Sequence, residues 1–124
     1  MPQPARGGAR FAVRFDDRLF DEDLAHATHA GQQVAVDARR RLERDGASAG
    51  ELAPCQAEHR QGTRLPNCVK TYLPERGGRW RMIFEVTRDG DELVLAYLAS
   101  GVGHPEHAWQ LSAYQVAHHR RHRQ

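Results

Sequence analysis

Leu65 to Gly103 reads LPNCVKTYLPERGGRWRMIFEVTRDGDELVLAYLASGVG, and the alternation inside it decides the fold. In residues 79–87, Trp80, Met82, Phe84 and Val86 fall on one side of an extended chain, with Arg79, Arg81, Glu85 and Thr87 on the other. One face is therefore expected in the core and the other is left for chemistry. Arg88-Asp89-Gly90-Asp91 then reverses the chain, because Asp-Gly supplies the positive φ angles of a tight hairpin. From Glu92 to Ser100 the run Leu93-Val94-Leu95-Ala96-Tyr97-Leu98 is apolar on both faces, which suits a central strand covered above and below. A first strand, Cys68 to Leu73, is bordered by Leu65-Pro66-Asn67 and by Pro74, and proline fits the border of a strand better than its middle. The stretch predicts a three-stranded antiparallel meander.

Working outward towards the N-terminus, residues 46–64 are polar and glycine-rich without a sustained period. They predict a long loop with one turn of helix near Glu51-Leu52. Before it, Gln32 to Arg44 sets Val34, Ala35, Ala38 and Leu42 along one side of a helix and Arg39, Arg40, Glu43 and Arg44 along the other, with Asp45-Gly46 as its end. A shorter helix carries Leu19, Phe20, Leu24 and Ala27. Asp16 or Asp17 is placed to cap it, and residues 28–31 interrupt the helical pattern before the second helix. Phe11, Val13 and Phe15 alternate as a short strand, and residues 1–9 predict a disordered leader ahead of a single domain over residues 10–124. On the other side of the meander, Ala108, Leu111, Tyr114, Ala117 and His118 recur on one face of a last helix, expected to start near Glu106 or His107. The order β-α-α-β-β-β-α predicts an α+β fold in which helices pack on an antiparallel sheet.

The 124 residues carry a net charge of +2, so composition alone announces no nucleic-acid binder. The distribution is uneven. Asp16, Asp17, Asp21, Glu22 and Asp23 gather early, and His118-His119-Arg120-Arg121-His122-Arg123 gather late, so a polyanion is drawn to the second half. Cys55 and Cys68 form neither a CxxC pair nor a dense framework, which points to reduced thiols. With no apolar leader segment and no run of about 18 apolar residues, the expected location is the cytoplasm, without a membrane partner.

Leu65-Pro66-Asn67-Cys68-Val69-Lys70, Trp80-Arg81-Met82-Ile83-Phe84-Glu85-Val86, Val102-Gly103-His104, and Ala113-Tyr114-Gln115-Val116-Ala117 with Arg120 together resemble the RelE branch of the RelE/ParE toxin superfamily. The likeness spans residues 11–45 by pattern and 65–121 by motif. It implies a toxin held inactive by a cognate antitoxin protein, acting on mRNA at the ribosome as an endoribonuclease. In such a reaction a ribose 2′-hydroxyl attacks the adjacent phosphodiester. The site must take the 2′-hydroxyl proton, stabilise the phosphorane and protonate the departing 5′-oxygen; no cofactor or metal is expected to take part.

The resemblance implies Lys70 and Arg81 as the fixed charge facing the phosphate, with Arg79 assisting from the Arg81 face. Tyr114 matches the tyrosine of the last helix, where a ring stacks on a base or a hydroxyl holds the phosphate. Arg120 and Arg121 extend the RNA-binding surface, and Arg39, Arg40 and the basic tail are expected to meet RNA or antitoxin. Two positions depart from the family pattern: Tyr72 stands where a second basic residue is common, and His104-Pro105 stands where an arginine is common. His104 is the candidate for proton transfer, with His107 beside it, because an imidazole donates or accepts at neutral pH. A ParE-like gyrase inhibitor and a non-catalytic RNA- or protein-binding module share the same fold. His104-x-x-His107, His118-x-x-x-His122 and Cys55-x-x-x-His59 with Cys68 have spacings a zinc ion accepts, but none completes a four-ligand motif.

Overall fold

The computed structural model describes residues 9–55, 65–73, 80–107 and 109–122. Its elements are β1 (Arg10–Arg14), α1 (Asp17–Ala25), α2 (His29–Asp45), β2 (Ala47–Ser48), a single 3-10 turn (Ala49–Glu51), β3 (Ala53–Pro54), β4 (Cys68–Tyr72), β5 (Trp80–Asp89), β6 (Glu92–Val102) and α3 (Ala113–His122). They form an α+β fold on one six-stranded sheet of order β2-β1-β6-β5-β4-β3. The expected meander is present as β4, β5 and β6, with Tyr72 opposite Arg81 and Asp89 opposite Glu92.

The sheet is mixed, which corrects the antiparallel expectation. β1 runs parallel to β6, with Ala12, Val13 and Arg14 beside Val94, Leu95 and Ala96. The alternation of Phe11, Val13 and Phe15 records a buried face and carries no information about strand direction. The two-residue strands β2 and β3 add edges inside the region read as loop, since segments so short have no period to detect.

Each helix boundary has a local cause. Asp16 caps α1 by accepting from the Leu19 amide at 3.1 Å, and Thr28 caps α2 by accepting from the Gly31 amide at 3.1 Å. Gly46 ends α2 at φ 72°, and a Cβ there would lie 2.7 Å from the Phe11 carbonyl oxygen, so only glycine lets β1 return this close. The last helix begins at Ala113 rather than near residue 106. Ser112 accepts from the Gln115 amide at 3.1 Å while the Gln115 side chain accepts from the Ser112 amide at 2.8 Å, a reciprocal cap that sets this start. Leu111, read as part of the helical face, precedes the helix and is exposed, as is Trp109; Ala108 lies outside the described residues.

Both faces of the sheet are covered. Trp80, Met82 and Phe84 are buried against Phe20 of α1 and Ala35, Ala38 and Leu42 of α2, as the alternation requires. Phe15, Phe20, Phe84 and Tyr97 form an aromatic knot there, with Phe15 stacked on Tyr97 at 5.1 Å. The opposite face, expected to be open for chemistry, is packed by Ala113, Tyr114 and Ala117 of α3 on Ile83, Leu98 and Ala99. A bulge in β6 makes room for this: Ile83 faces Ala99 and Phe84 faces Tyr97, so Leu98 is the additional residue. Among the described residues no helix is long and apolar enough to cross a membrane.

The pairing of β1 with β6 ends at Arg14 and Ala96, and side chains continue along the β6 edge beyond it. The Asp23 carboxylate accepts from the Ser100 amide at 3.1 Å and from the Tyr97 hydroxyl at 2.6 Å. Arg120 donates to the Leu98 carbonyl at 2.8 Å and grips both Asp23 oxygens, at 2.9 and 2.8 Å. Burial pushes the Tyr97 phenol upward in pKa, and the neighbouring Asp23 charge adds to it, so the neutral hydroxyl remains the donor. One ion pair thereby joins α1 to α3 and satisfies backbone groups at the bulge.

Candidate functional site

The pairing of β4 with β5 sets Tyr72 directly opposite Arg81 and Lys70 opposite Ile83, so Lys70, Tyr72 and Arg81 share the face that α3 covers. The cap at Ser112 puts Tyr114 in the first turn of α3, where it is buried. Its hydroxyl accepts from the Lys70 ammonium at 2.9 Å. The same ammonium lies 5.0 Å from the Tyr114 ring centre and 5.6 Å from that of Tyr72. The Arg81 guanidinium lies 4.8 Å from the Tyr72 ring centre and 6.0 Å from that of Tyr114. Two cations and two tyrosines thus interleave at the seam between sheet and helix.

His104, on the exposed segment that leaves β6, completes the group with its ring 6.2 Å from the Tyr114 ring. Gly103 precedes His104 and lies against the Arg81 side chain. A Cβ at that position would lie 2.6 Å from Cδ, Nε and Cζ of Arg81, so the absent side chain is the space in which the guanidinium rests. Gly101, opposite Arg81 on β6, lies under the start of α3, where its Cβ would meet Ala113 at 3.8 Å.

Lys70, Arg81, His104 and Tyr114, predicted from motifs scattered over 45 residues of sequence, therefore meet in one place. Tyr72 belongs with them. The sequence signal for it was its i+2 spacing from Lys70, which fixes the shared face; its contact with Arg81 needed the strand register. Gly103 was visible as a motif residue, without the reason for it.

The other candidates stand elsewhere. Arg79 lies outside the described residues. Arg120 is buried on Asp23, and Glu22 lies 3.3 Å from it at the protein surface. Arg121 donates to the Pro66 carbonyl and the Cys68 sulfur and lies 3.3 Å from the Glu85 carboxylate, which ties α3 to the entry of β4. Burial pushes the Cys68 thiol up to about 11, against the pull of Arg121. Arg39 rests over the rings of Phe15 and Phe20, at 4.9 and 4.8 Å, paired with Asp17 and Glu43. His107 stacks on the exposed Trp109 at 5.4 Å. Among the described residues no three His, Cys, Asp or Glu side chains come together to hold a metal; the His118 and His122 rings approach to 4.3 Å as a pair, and His59 is not among the described residues.

Chemically, the cluster offers a guanidinium fork, an ammonium oriented by a phenol, and an exposed imidazole. Such a set suits an anion that gains charge during reaction. Comparison of the chain with protein-family models, with curated proteins and with solved structures finds no match.

Proposed function

We propose that this chain is a RelE-like toxin that cleaves mRNA on the ribosome, working in the cytoplasm under the control of an antitoxin. The observation that carries the reading is the convergence of Lys70, Arg81, His104 and Tyr114 on one seam, because these are the positions the resemblance singles out. Arg81 holds the non-bridging oxygens of the scissile phosphate and stabilises the phosphorane as its charge develops. Lys70 adds a second positive charge, kept in place by Tyr114. His104 supplies the proton that the departing 5′-oxygen requires, and the proton of the attacking 2′-hydroxyl passes to solvent water. The positive end of the α3 dipole falls on the same side and reinforces the cations.

A second reading, a non-catalytic RNA- or protein-binding member of the same fold, draws on the burial of Lys70 and Tyr114, at 7% and 2% exposure. The two separate in one experiment. The chain is expressed under tight control and mRNA 5′ ends are mapped in translating and in ribosome-free extracts. New 5′ ends confined to translating extract are the expected result; none in either extract overturns the nuclease. Plasmid left relaxed in the presence of gyrase and ATP, with no RNA cleavage, would instead place the activity with ParE-like action. For the antitoxin, co-expression of the adjacent reading frame should yield a small acidic protein that co-purifies with this cationic chain.

A further inference from the structure

The two cysteines stand outside the proposed site, yet the sheet brings them together. β3 pairs antiparallel with β4, Ala53 opposite Lys70 and Pro54 opposite Val69. Continued by one residue, that register sets Cys55 opposite Cys68, and the Cys55 amide donates to the Cys68 carbonyl at 3.3 Å. Directly opposed residues of an antiparallel pair project to the same face with Cβ atoms about 4.5–5.5 Å apart. Both side chains indeed pack in the cluster beneath α3, at 8% and 4% exposure, with their thiols reduced. A disulfide needs Cβ atoms about 3.5–4.5 Å apart. The strands must therefore close by about 1 Å. β3, two residues long at the sheet edge, is the element that yields.

We propose that Cys55 and Cys68 are a reversible dithiol pair, closed to an intramolecular disulfide by a low-molecular-weight disulfide such as glutathione disulfide. The Cys55 thiolate attacks one sulfur of the oxidant, breaks its S–S bond and releases one glutathione thiolate. The Cys68 thiolate then attacks the Cys55 sulfur of the mixed disulfide and releases the second. Two electrons pass from the cysteine pair to glutathione disulfide, and the two thiol protons end on the two glutathione molecules. Cys55 acts first because Cys68 is the more buried and is held protonated by its surroundings. The new bond fastens the β3 edge to the strand that carries Lys70, two residues along the same face, and draws the Cys68 sulfur away from Arg121. Disulfides formed in a reducing compartment are usually transient and sensory, which fits a pair that must shift in order to join.

The test takes the reduced, folded full chain, treats it with excess glutathione disulfide, and reads intact mass. A monomer lighter by two hydrogen atoms, restored by dithiothreitol, is expected, with a Tm raised by about 5 °C. Under the same treatment Cys68→Ser should stop at a glutathione adduct on Cys55. A persistent adduct on the parent chain, a disulfide between two chains, an unmodified monomer, or closure only in denaturant would each overturn the pair. The outcome is independent of whether the chain cleaves RNA.

Discussion

α3 carries a cation–tyrosine arrangement at each end, and the two ends are built differently. At the C-terminal end Arg120 meets the Asp23 carboxylate, which Tyr97 also bonds. At the N-terminal end Lys70 meets the Tyr114 hydroxyl, and Arg81 lies against tyrosine rings. Asp23 neutralises Arg120, and Tyr114 orients the Lys70 ammonium by accepting its hydrogen bond. The first arrangement is a strut between helices, whereas the second interleaves Lys70 and Arg81 with two tyrosines at the seam proposed to act on RNA.

The largest effect should come from the strut. Arg120→Met leaves Asp23 and the Leu98 carbonyl buried without their partner, and urea unfolding should show a loss of about 3–5 kcal/mol. Removing both charges with Asp23→Leu and Arg120→Met should recover little, because the Ser100 amide then loses its acceptor and the Tyr97 hydroxyl keeps only the Ser100 hydroxyl. Full recovery would make the pair an ordinary buried salt bridge and erase the contrast.

At the other end, Arg81→Ala should lower single-turnover cleavage of a ribosome-bound message by on the order of 10²–10³-fold at every pH, with little change in urea midpoint. Unchanged cleavage by that variant sinks the nuclease assignment. Gly103→Ala sharpens the point. Its Cβ displaces a flexible guanidinium rather than backbone, so stability should hold while the rate falls about tenfold, through loss of position alone. His104→Ala should lower the single-turnover rate with little change in stability, because proton transfer to the 5′-oxygen loses its donor. An unchanged rate would remove His104 from the chemistry.

The smallest effect tests a carboxylate-answered cation in water. Burial raises the Glu51 pKa, but the bonds from Arg41 and from Ser48 outweigh it and hold the carboxyl below its usual range. The unfolded chain therefore takes up this proton first as pH falls. Stability from the pair is complete above the ordinary carboxyl pKa and is lost as pH drops through the lower folded value. Arg41 is partly exposed, so after screening Glu51→Gln should cost only about 0.5 kcal/mol at neutral pH, and progressively less as acid protonates the folded carboxyl. A cost that persisted in acid would assign it to packing.

The faces of β5 were legible because Trp80, Met82 and Phe84 alternate with Arg81 and Glu85 in a local, period-two pattern. The direction of β1 was not, since Phe11, Val13 and Phe15 present the same pattern to a parallel or antiparallel neighbour. The start of α3 was misread because Ala108 and Leu111 happen to continue the periodicity of Tyr114 and Ala117, while the decisive signal was the Ser112–Gln115 cap. Within the site, Lys70 and Arg81 could be named from motifs. The separation of Arg81 from Arg120 could not, because both are arginines beside aromatic-rich segments, and only the fold brings Asp23 to one of them.

The pairing of β1 with β6 and of Asp23 with Arg120 also bears on how the chain comes into being. The partners of that ion pair are 97 residues apart, so during synthesis at roughly 5–20 residues per second Asp23 waits about 5–20 s before Arg120 exists. Through that interval β1 has no β6 to lie beside, and the aromatic knot around Phe15 lacks Tyr97. Native contacts this distant form late. The nascent chain thus remains open until α3 emerges, and the seam that holds Lys70, Arg81 and Tyr114 cannot close before then, so whatever the seam does is withheld until α3 has been made.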